Sequence, residues 1–403
     1  MKNKIRNVLV FNDYAYLYGG AGKVALDGAI ALADMGYNVS LLTGTGPVDA
    51  CLSKHEIRCI CLNQPDLLSD NNRFRAACRG VWNRKAYEVT KKLLKEYNPN
   101  NTIILIHGYS KTLSVSIFAA MKNSGFKVIY TLHDYFAACP NGGFYDFHHQ
   151  KLCSFKPLSL KCICRNCDSR SYFQKLYRVV RQFVIRCCLK DSNNFYAYNV
   201  SEMSKQIMEP YIANYFKVYD VLINPVDVNA NDKFNINNNY TYLFIGRLSV
   251  EKGIEDFCKV ITDLGLQGVV LGDGYLMEKL KKTYPNIVFK GWVDGKTKVQ
   301  ELSHAKCVIF PSKVHETYGL VIPESLSYGV PCIVPEGCGA TNLIVEGKNG
   351  FIFKMGDYND LKRKVLLMES VKISEMSNYI NNNFHSELFS INNYVMKLVS
   401  LFE

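Results

Sequence analysis

Residues 308–334 read "VIFPSKVHETYGLVIPESLSYGVPCIV", and this stretch decides the fold. Its two ends, "VIFPS" and "PCIV", are short apolar runs typical of buried strands. Between them Pro323 is tolerated in a first helical turn, Gly329 suits the position after a helix, and Pro331 prevents continuation. The pattern places Glu316 on the loop after the first strand and Glu324 in the first or second turn of the helix. The stretch therefore predicts a strand–helix–strand unit of a parallel sheet.

The same alternation runs through both halves of the chain. In the first half, strands are expected at 7–11, 37–44, 102–108 and 127–134, with a helix at 23–36. In the second half, six further strands are expected between 240 and 353. Buried strands that alternate with helices indicate parallel, doubly wound sheets, so we predict an α/β protein with two Rossmann-like domains.

The domain limits are expected where periodicity fails. Residues 221–240 are rich in Asn and Asp and lack periodicity, which is typical of a hinge. We therefore assign residues 1–220 to an N-terminal domain on the acceptor side, with a Cys-rich insert at 139–170, and residues 221–380 to a C-terminal domain. Residues 381–403 are predicted to be helical and to pack back on the N-terminal domain.

Composition narrows the class of protein. The 403 residues are 48% hydrophobic and 21% charged, which is typical of a globular chain with large cores. No apolar run approaches the roughly 20 residues that a membrane-spanning helix needs. The first apolar run is too short for a signal peptide, so a cytosolic protein is expected. The net charge of +12 favours anionic partners, which include nucleic acid, an acidic membrane and phosphorylated substrates.

Anion-binding and hydroxyl-binding groups converge on one predicted crevice. The turn Tyr318–Leu320 precedes a helix, whose free amides suit a phosphate. Carboxylates such as Glu316 and Glu324 suit the hydroxyls of a sugar or ribose. Arg247 ends a strand and Lys252 opens a helix in "FIGRLSVEKGIEDF" (244–257), and both suit a diphosphate. The plain alternative for these two cations is a solvated surface pair.

Taken in order, "GRLSVEKG" (246–253), "GDG" (272–274), the E-x7-E spacing and "GVP" (329–331) resemble the nucleotide-sugar half of the family-4 retaining glycosyltransferases. The resemblance covers about residues 240–353 and is looser in the first half. It implies the GT-B fold, in which two Rossmann-like domains face a central cleft. It also implies that Arg247 and Lys252 hold the diphosphate in place of a metal ion. Asn342 stands where members of the family often carry an acid, so we assign it no role.

The resemblance likewise assigns the acids and the turn of this half. It implies that Glu316 contacts hydroxyls of the donor sugar and that Glu324 holds the ribose. The amides of Tyr318, Gly319 and Leu320 would meet the phosphate.

The first half contains a glycine-rich turn, "YLYGGAGKVA" (16–25). It lacks the first glycine and the hydroxyl of a P-loop, and no acid closes the next strand as in a dinucleotide site. The resemblance implies instead that Gly19 and Gly20 lie close to the donor phosphates and sugar. It also places His133, which ends a strand in "TLHDYF", near C6 of the donor sugar, with Asp134 beside it.

The insert at 139–171 contains five of the fifteen cysteines of the chain. Only one C-x-x-C pair is present, whereas a strong zinc signature needs two. A four-cysteine zinc knuckle, free thiols and an iron–sulfur cluster all remain open. The tentative zinc ligands are Cys139, Cys153, Cys164 and Cys167.

Residues 171–190, "SYFQKLYRVVRQFVIRCCLK", form an amphipathic, basic and aromatic segment. One interpretation is a packed helix with a solvated basic face. The other is a helix that docks on an anionic membrane, where a lipid-linked acceptor would be found.

Together with these patterns, the resemblance implies a retaining, metal-independent glycosyltransferase of hexosyl type. It would move a sugar from a nucleotide-diphosphate-sugar to a saccharide or lipid-linked acceptor, in the assembly of cell-surface polysaccharide such as O-antigen, capsule or lipopolysaccharide. We expect no cofactor for catalysis and a cytoplasmic protein, peripheral on the inner face of the cytoplasmic membrane. The alternatives are a sugar epimerase or phosphorylase of the same fold and, further off, a basic zinc-containing protein that binds nucleic acid.

Overall fold

The computed structural model describes residues 5–227 and 233–402. Within these ranges the strands are β1 (Asn7–Tyr14), β2 (Asn38–Thr45), β3 (Arg58–Cys61), β4 (Thr102–Ile106), β5 (Lys127–Leu132), β6 (Tyr145–Asp146), β7 (Lys151–Leu152), β8 (Phe195–Asn199), β9 (Lys217–Val221), β10 (Thr241–Ile245), β11 (Gln267–Leu271), β12 (Val288–Gly291), β13 (Ala305–Ile309), β14 (Cys332–Pro335) and β15 (Gly350–Phe353).

The α-helices of the same ranges are α1 (Gly19–Asp34), α2 (Ala50–Lys54), α3 (Arg73–Val81), α4 (Arg84–Leu94), α5 (Ser116–Met121), α6 (Leu160–Cys164), α7 (Tyr172–Leu189), α8 (Glu202–Ile212), α9 (Ile254–Asp263), α10 (Met277–Thr283), α11 (Gly295–Ser303), α12 (Val321–Ser327), α13 (Tyr358–Ser370), α14 (Ile373–Asn383) and α15 (Ile391–Ser400).

The chain divides into two compact units, each built on its own sheet. The first unit comprises residues 1–144, 154–225 and 391–403, and the second comprises 145–153 and 226–390. The first sheet has the order β3-β2-β1-β4-β5-β8-β9 and the second the order β12-β11-β10-β13-β14-β15. All neighbouring strands in both sheets are parallel, which confirms the prediction of two Rossmann-like α/β domains.

The strands of both sheets are nearly continuous apolar runs because helices cover both faces. β4 and the last seven residues of β1 are buried throughout. Two clusters of buried side chains belong to the first unit and one to the second. In parallel sheets this arrangement leaves ligands to the loops at the carboxyl ends of the strands.

Two short segments cross the predicted domain limits. The hairpin β6–β7 lies inside the Cys-rich insert but belongs to the second unit, whereas the predicted limits place the whole insert in the first domain. At the other end, α15 belongs to the first unit. Its Tyr394 ring lies against Gly28 of α1, at a point where a Cβ would be 3.3 Å from the ring. Of the expected hinge, residues 228–232 lie outside the described residues.

Among the described residues, no helix combines the length and apolar character required to cross a bilayer.

Candidate active site

A glycine directs the loop after β10 towards the end of β13. Gly253 has φ +70°, and a Cβ there would lie 1.8 Å from the carbonyl oxygen of Pro311. Such a contact is impossible, so glycine is needed for this close approach of two backbones. The approach brings the 3-10 turn Val250–Lys252 beside the loop that carries Glu316.

Lys252 and Glu316 form an ion pair at this point. The Lys252 Nζ lies 2.5 Å from Glu316 Oε1, and Ser312 Oγ donates to the same oxygen at 2.6 Å. The side chains of Lys252 and Glu316 are 23% and 14% exposed. Glu316 Oε2 accepts no hydrogen bond within the described chain, so this oxygen is free for a ligand hydroxyl. The structure thus brings together two residues that the sequence assigned to one crevice, and adds Ser312.

The sequence analysis did not single out Ser312, although its position carries a signal. It stands three residues after the end of β13 and is 1% exposed. A hydroxyl at the carboxyl end of a parallel strand is as well placed for a site as the acid that follows it. Here it fixes the orientation of the Glu316 carboxylate.

Arg247 lies apart from this ion pair in the structure. Its guanidinium is 66% exposed and lies 3.4 Å from Glu251 Oε1. An exposed pair of this kind contributes little to stability, so the guanidinium can leave Glu251 for a phosphate at small cost.

The turn Tyr318–Leu320 presents its backbone rather than its side chains. Gly319 has φ +94°, and a Cβ there would lie 2.9 Å from Cys338 Sγ. The carbonyl of Tyr318 accepts from Ala340 N at 2.8 Å, while the amides of Gly319 and Leu320 find no acceptor in the described chain. The Tyr318 ring is buried, which raises the pKa of its phenol. The predicted phosphate contact thus rests on the amides of Gly319 and Leu320, which precede α12.

Glu324 lies in the first turn of α12 and is 6% exposed. It forms an ion pair with Lys298 of α11, and both side chains line a cavity of about 340 Å³ together with Lys296 and Tyr328. Lys298 is a residue that the sequence analysis missed, because its spacing to Glu324 becomes meaningful only when α11 and α12 are packed together. Each acid of the E-x7-E motif is therefore paired with its own lysine.

The "GDG" motif has a packing role. Gly272 has φ +137°, and a Cβ there would lie 1.8 Å from the Gly246 carbonyl oxygen. A Cβ on Gly274 would lie 2.3 Å from the carbonyl oxygen of Leu248. These two glycines allow the turn after β11 to pack closely against the backbone of residues 246–248. This packing holds the segment that carries Arg247 in place.

In the first unit, His133 follows β5 and lies against His107, which follows β4. The rings stack at 5.3 Å between centroids, with His107 Nδ1 3.0 Å from His133 Nε2. Burial lowers the pKa of His107 to about 4 and the pKa of His133 well below its usual value. Both imidazoles are therefore neutral at pH 7. His107 escaped the sequence analysis, although it ends a parallel strand just as His133 does.

Asp134 turns back to its own loop. Its Oδ1 accepts from the amide of Phe136 at 3.0 Å, and burial raises the pKa of its carboxyl group. The structure places it next to His133, as the sequence suggested.

Gly19 and Gly20 form the first turn of α1. Strand β1 extends to Tyr14, three residues beyond the predicted end, so the turn between strand and helix is shorter than expected. Gly19 has φ +68° and no atom within 4 Å of a built Cβ. This open backbone leaves room for a ligand beside it.

The four tentative zinc ligands are not gathered into a metal site. Cys139 and Cys167 are buried, whereas Cys153 is half-buried and Cys164 is exposed. Within residues 5–227 and 233–402, no group of three or more His, Cys, Asp or Glu side chains could hold a metal ion.

An amine stands among the buried thiols instead. The fully buried Lys175 Nζ lies 3.3 Å from Cys167 Sγ and 3.5 Å from Cys162 Sγ. Burial lowers the pKa of Lys175, and the nearby thiols raise it by more. This lysine contact joins α7 to the insert.

The segment 171–190 is a helix, as predicted, but two of its cations are buried and three of its apolar side chains are exposed. Lys175 and Arg181 are buried, while Phe173, Val180 and Phe183 are 83%, 51% and 47% exposed. The expected solvated basic face is wrong. The buried cations share the inner face of α7 with Val179, Ile185 and Leu189, while Phe173, Val180 and Phe183 form an outward apolar row.

Comparisons with known proteins agree with this architecture. Residues 228–385 match the family model described as glycosyl transferases group 1. The chain is 33% identical over 129 residues to the sulfoquinovosyl transferase of Arabidopsis thaliana, covering 30% of this chain and 25% of that protein. It is 31% identical over 117 residues to a GDP-mannose-dependent alpha-mannosyltransferase of Corynebacterium glutamicum, covering 29% and 28%. These alignments thus span little more than a quarter of each relative.

Longer matches are weaker in sequence. An uncharacterised protein of the cps region of Klebsiella pneumoniae is 24% identical over 330 residues, covering 75% of this chain and 84% of that protein. The Anabaena HepE structure with UDP and glucose has a TM-score of 0.66 at 16% identity, covering 98% of this chain and 99% of that one. Sucrose-phosphate synthase of Thermosynechococcus elongatus has a TM-score of 0.70 at 15% identity, covering 98% of each chain. These likenesses in fold over nearly the whole chain confirm the GT-B fold.

Proposed function

We propose that the chain transfers a sugar from a nucleotide-diphosphate-sugar to a hydroxyl-bearing acceptor, because residues 228–385 match the family model described as glycosyl transferases group 1. The observation that carries the proposal is the Lys252–Glu316 pair with the unpaired amides of Gly319 and Leu320 on the same loop. One carboxylate oxygen, one ammonium and two amides supply the acceptor and donor groups that a sugar diphosphate requires.

We assign the leaving diphosphate to the cations and the amides. As the glycosidic bond breaks, negative charge grows on the diphosphate, and Lys252, Arg247 and the two amides stabilise it. Fixed donors of this kind supply the charge stabilisation for which other transferases use a metal ion, so we infer a metal-independent reaction. When the donor binds, the Lys252 ammonium leaves Glu316 and pairs with the phosphate instead.

We assign the sugar and ribose to the two acids. The free Oε2 of Glu316 accepts from sugar hydroxyls, and Glu324, held by Lys298, accepts from the ribose. Neutral His133 contributes a hydrogen bond rather than a charge near C6 of a hexose, with Asp134 beside it. Gly19 and Gly20 allow close backbone approach to the donor. No protein nucleophile is needed when the acceptor attacks on the face of the leaving group, with retention of anomeric configuration.

We infer an acceptor that is a saccharide, carried on a lipid, in the assembly of cell-surface polysaccharide. The relative from the cps region of Klebsiella pneumoniae supports this assignment. The outward apolar residues of α7, in a chain of net charge +12, support peripheral binding to an anionic membrane, and hence a place on the inner face of the cytoplasmic membrane.

The test is a donor screen with product analysis. Purified protein is incubated with a panel of nucleotide sugars, with and without a lipid-linked saccharide, and the products are separated. The proposal expects a glycosylated acceptor and free nucleoside diphosphate from one donor. An isomerised donor would indicate an epimerase, free sugar phosphate would indicate a phosphorylase, and either outcome would overturn the proposal.

A further inference from the structure

A cavity of about 280 Å³ opens in the first unit. Its walls come from α3 and α7 and from the loops that follow β4 and β5, with Lys111 after β4 and Phe136 after β5. Ligands of doubly wound sheets bind at these carboxyl ends. We call it the cationic pocket, for its lining of Arg73, Lys111, Arg170, Arg178 and Arg181.

The lining of the cationic pocket is positive beyond what its surroundings neutralise. Five of its side chains are cations and none is a carboxylate. Arg178 Nε lies 3.2 Å from Asp168 Oδ2, and it is the one member of the five with a carboxylate ion pair in the described chain. Like charges held this closely favour an anion between them.

Two of the cations are held in place before any ligand binds. Asp13, at the end of β1, accepts from the amides of Lys111 at 3.0 Å and Thr112 at 2.8 Å, which fixes the loop that carries Lys111. Arg181 is 7% exposed, donates to the Ser110 carbonyl at 2.9 Å and lies 4.9 Å from the centre of the Phe136 ring. Burial lowers the pKa of Lys111; the carboxylates of Asp13 and Asp134 oppose this, and the charges of Arg178 and Arg181 add to it. An anion would remove this repulsion without any rearrangement.

The mouth of the cationic pocket is apolar. Phe173 and Leu68 line it and are 83% and 48% exposed, and Ala76 and Ala77 form part of the wall. Phe173 also begins the outward apolar row of α7 that continues to Val180 and Phe183. A ligand that fills the whole site must therefore carry negative charge at one end and an apolar chain at the other.

We propose that the cationic pocket binds the phosphate or diphosphate of a lipid-linked acceptor, whose apolar chain leaves past Phe173. Arg170, Arg178 and Arg181 supply forked contacts to the phosphate oxygens and Lys111 a point charge. The assignment of this ligand as the acceptor rests on the proposed transferase function. The binding itself does not, because it uses residues of the first unit only.

The test measures binding of three probes to the full chain: farnesyl diphosphate below its critical micelle concentration, inorganic pyrophosphate, and farnesol. We expect farnesyl diphosphate to bind at least about tenfold more tightly than either of the others, since each lacks one half of the ligand. Two substitutions should each weaken the binding of farnesyl diphosphate about tenfold or more. They are Ala77→Trp, which fills the pocket, and Arg170→Ser, at an exposed position. Arg186→Gln, on α7 but outside the pocket, and Lys279→Ala, in the second unit and outside the donor site, should leave the binding of farnesyl diphosphate unchanged.

Equal binding of farnesyl diphosphate by the wild type and Ala77→Trp would overturn the proposal. Equal affinity for pyrophosphate would replace the lipid by a free phosphate ester and overturn it as well. Titration with a panel of nucleoside diphosphates separates the two claims. If none binds the wild type while farnesyl diphosphate does, the transferase function fails and the lipid phosphate site stands.

Discussion

The two units arrange their charges in opposite ways. In the second unit, Lys252 and Lys298 of the candidate site each pair with a carboxylate, Lys252 with Glu316 and Lys298 with Glu324. In the cationic pocket of the first unit, Lys111 and Arg181 have no carboxylate ion pair in the described chain. An ion pair offers both a carboxylate and a cation, which suits a ligand that carries hydroxyls and negative charge. A cluster of cations without carboxylate partners suits an anion. On the proposed function, the paired charges of the second unit suit the hydroxyls and diphosphate of a nucleotide sugar, and the cationic pocket of the first unit suits a phosphate.

The largest expected effect tests the balanced pair. Glu316→Gln keeps the shape of the side chain but removes its charge, and should lower kcat/KM about 100-fold or more, as the loss of a fixed contact to the reacting groups usually does. The matched control is Glu251→Gln, which alters the pair with Arg247. It should lower kcat/KM less than about tenfold. Steady-state rates with the identified donor decide the matter. Similar losses in both variants would remove the distinction between the two acids.

The next effect tests the backbone that brings Lys252 to Glu316. Gly253→Ala places a Cβ 1.8 Å from the Pro311 carbonyl oxygen, so the loop must move, at a cost of about 2–3 kcal/mol in the free energy of unfolding. Gly265→Ala has a similar φ, +64°, with no atom within 4 Å, and should cost only about 1 kcal/mol. Chemical denaturation measures both. If Gly265→Ala proved as costly, positive φ alone would explain the effect and the close approach would be irrelevant.

A smaller effect concerns the outward face of α7. Phe173→Ser should weaken binding to vesicles that contain anionic lipid about tenfold, because burying a phenyl ring in the interface is worth about 1.5 kcal/mol. Leu388→Ser, an exposed apolar position at 51% in the second unit, is the control and should change nothing. Co-sedimentation with vesicles gives the affinities. Unaltered binding of Phe173→Ser would mean that α7 does not face the membrane.

The smallest effect is a pH dependence of stability. The folded pKa of His107 is depressed to about 4, so its contribution is complete above the unfolded pKa of about 6.5 and is lost as the pH falls towards 4. Between pH 6.5 and 5.5 the loss for this group is about 1 kcal/mol. His133 shifts in the same direction, and Asp134, with a raised pKa, in the other. The difference in the free energy of unfolding between the wild type and His107→Asn should therefore be smaller at pH 5.5 than at pH 7.5. Parallel curves would contradict the buried neutral state.

The features that could be predicted from the sequence also differ between the two units. The strand–helix–strand order of both sheets was predictable, since buried strands carry a local pattern. Four candidate site residues could also be chosen from the sequence, because they stand at fixed spacings on consecutive elements: Glu316, Glu324, Arg247 and Lys252. Ser312 and His107 end strands as their predicted neighbours do, so the same rule could have found them.

The cationic pocket could not be read in this way. It joins four segments, from α3, the loops after β4 and β5, and α7, and no spacing within one segment reveals that their cations meet. The faces of α7 were misjudged for the same reason. Lys175 is buried only because thiols of the insert lie next to it, and Arg181 only because Ser110 and Phe136 do.

The central claim is that the Lys252–Glu316 pair binds a nucleotide-diphosphate-sugar. The most direct measurement is calorimetric titration of the wild type, Lys252→Ala and Lys279→Ala with the donor found in the screen. Lys279 is also ion-paired, to Glu255, but stands outside the site. We predict that Lys252→Ala weakens donor binding about tenfold or more, the value of one charge-assisted contact, while Lys279→Ala binds as the wild type does. Equal donor affinity in Lys252→Ala and the wild type would contradict the account.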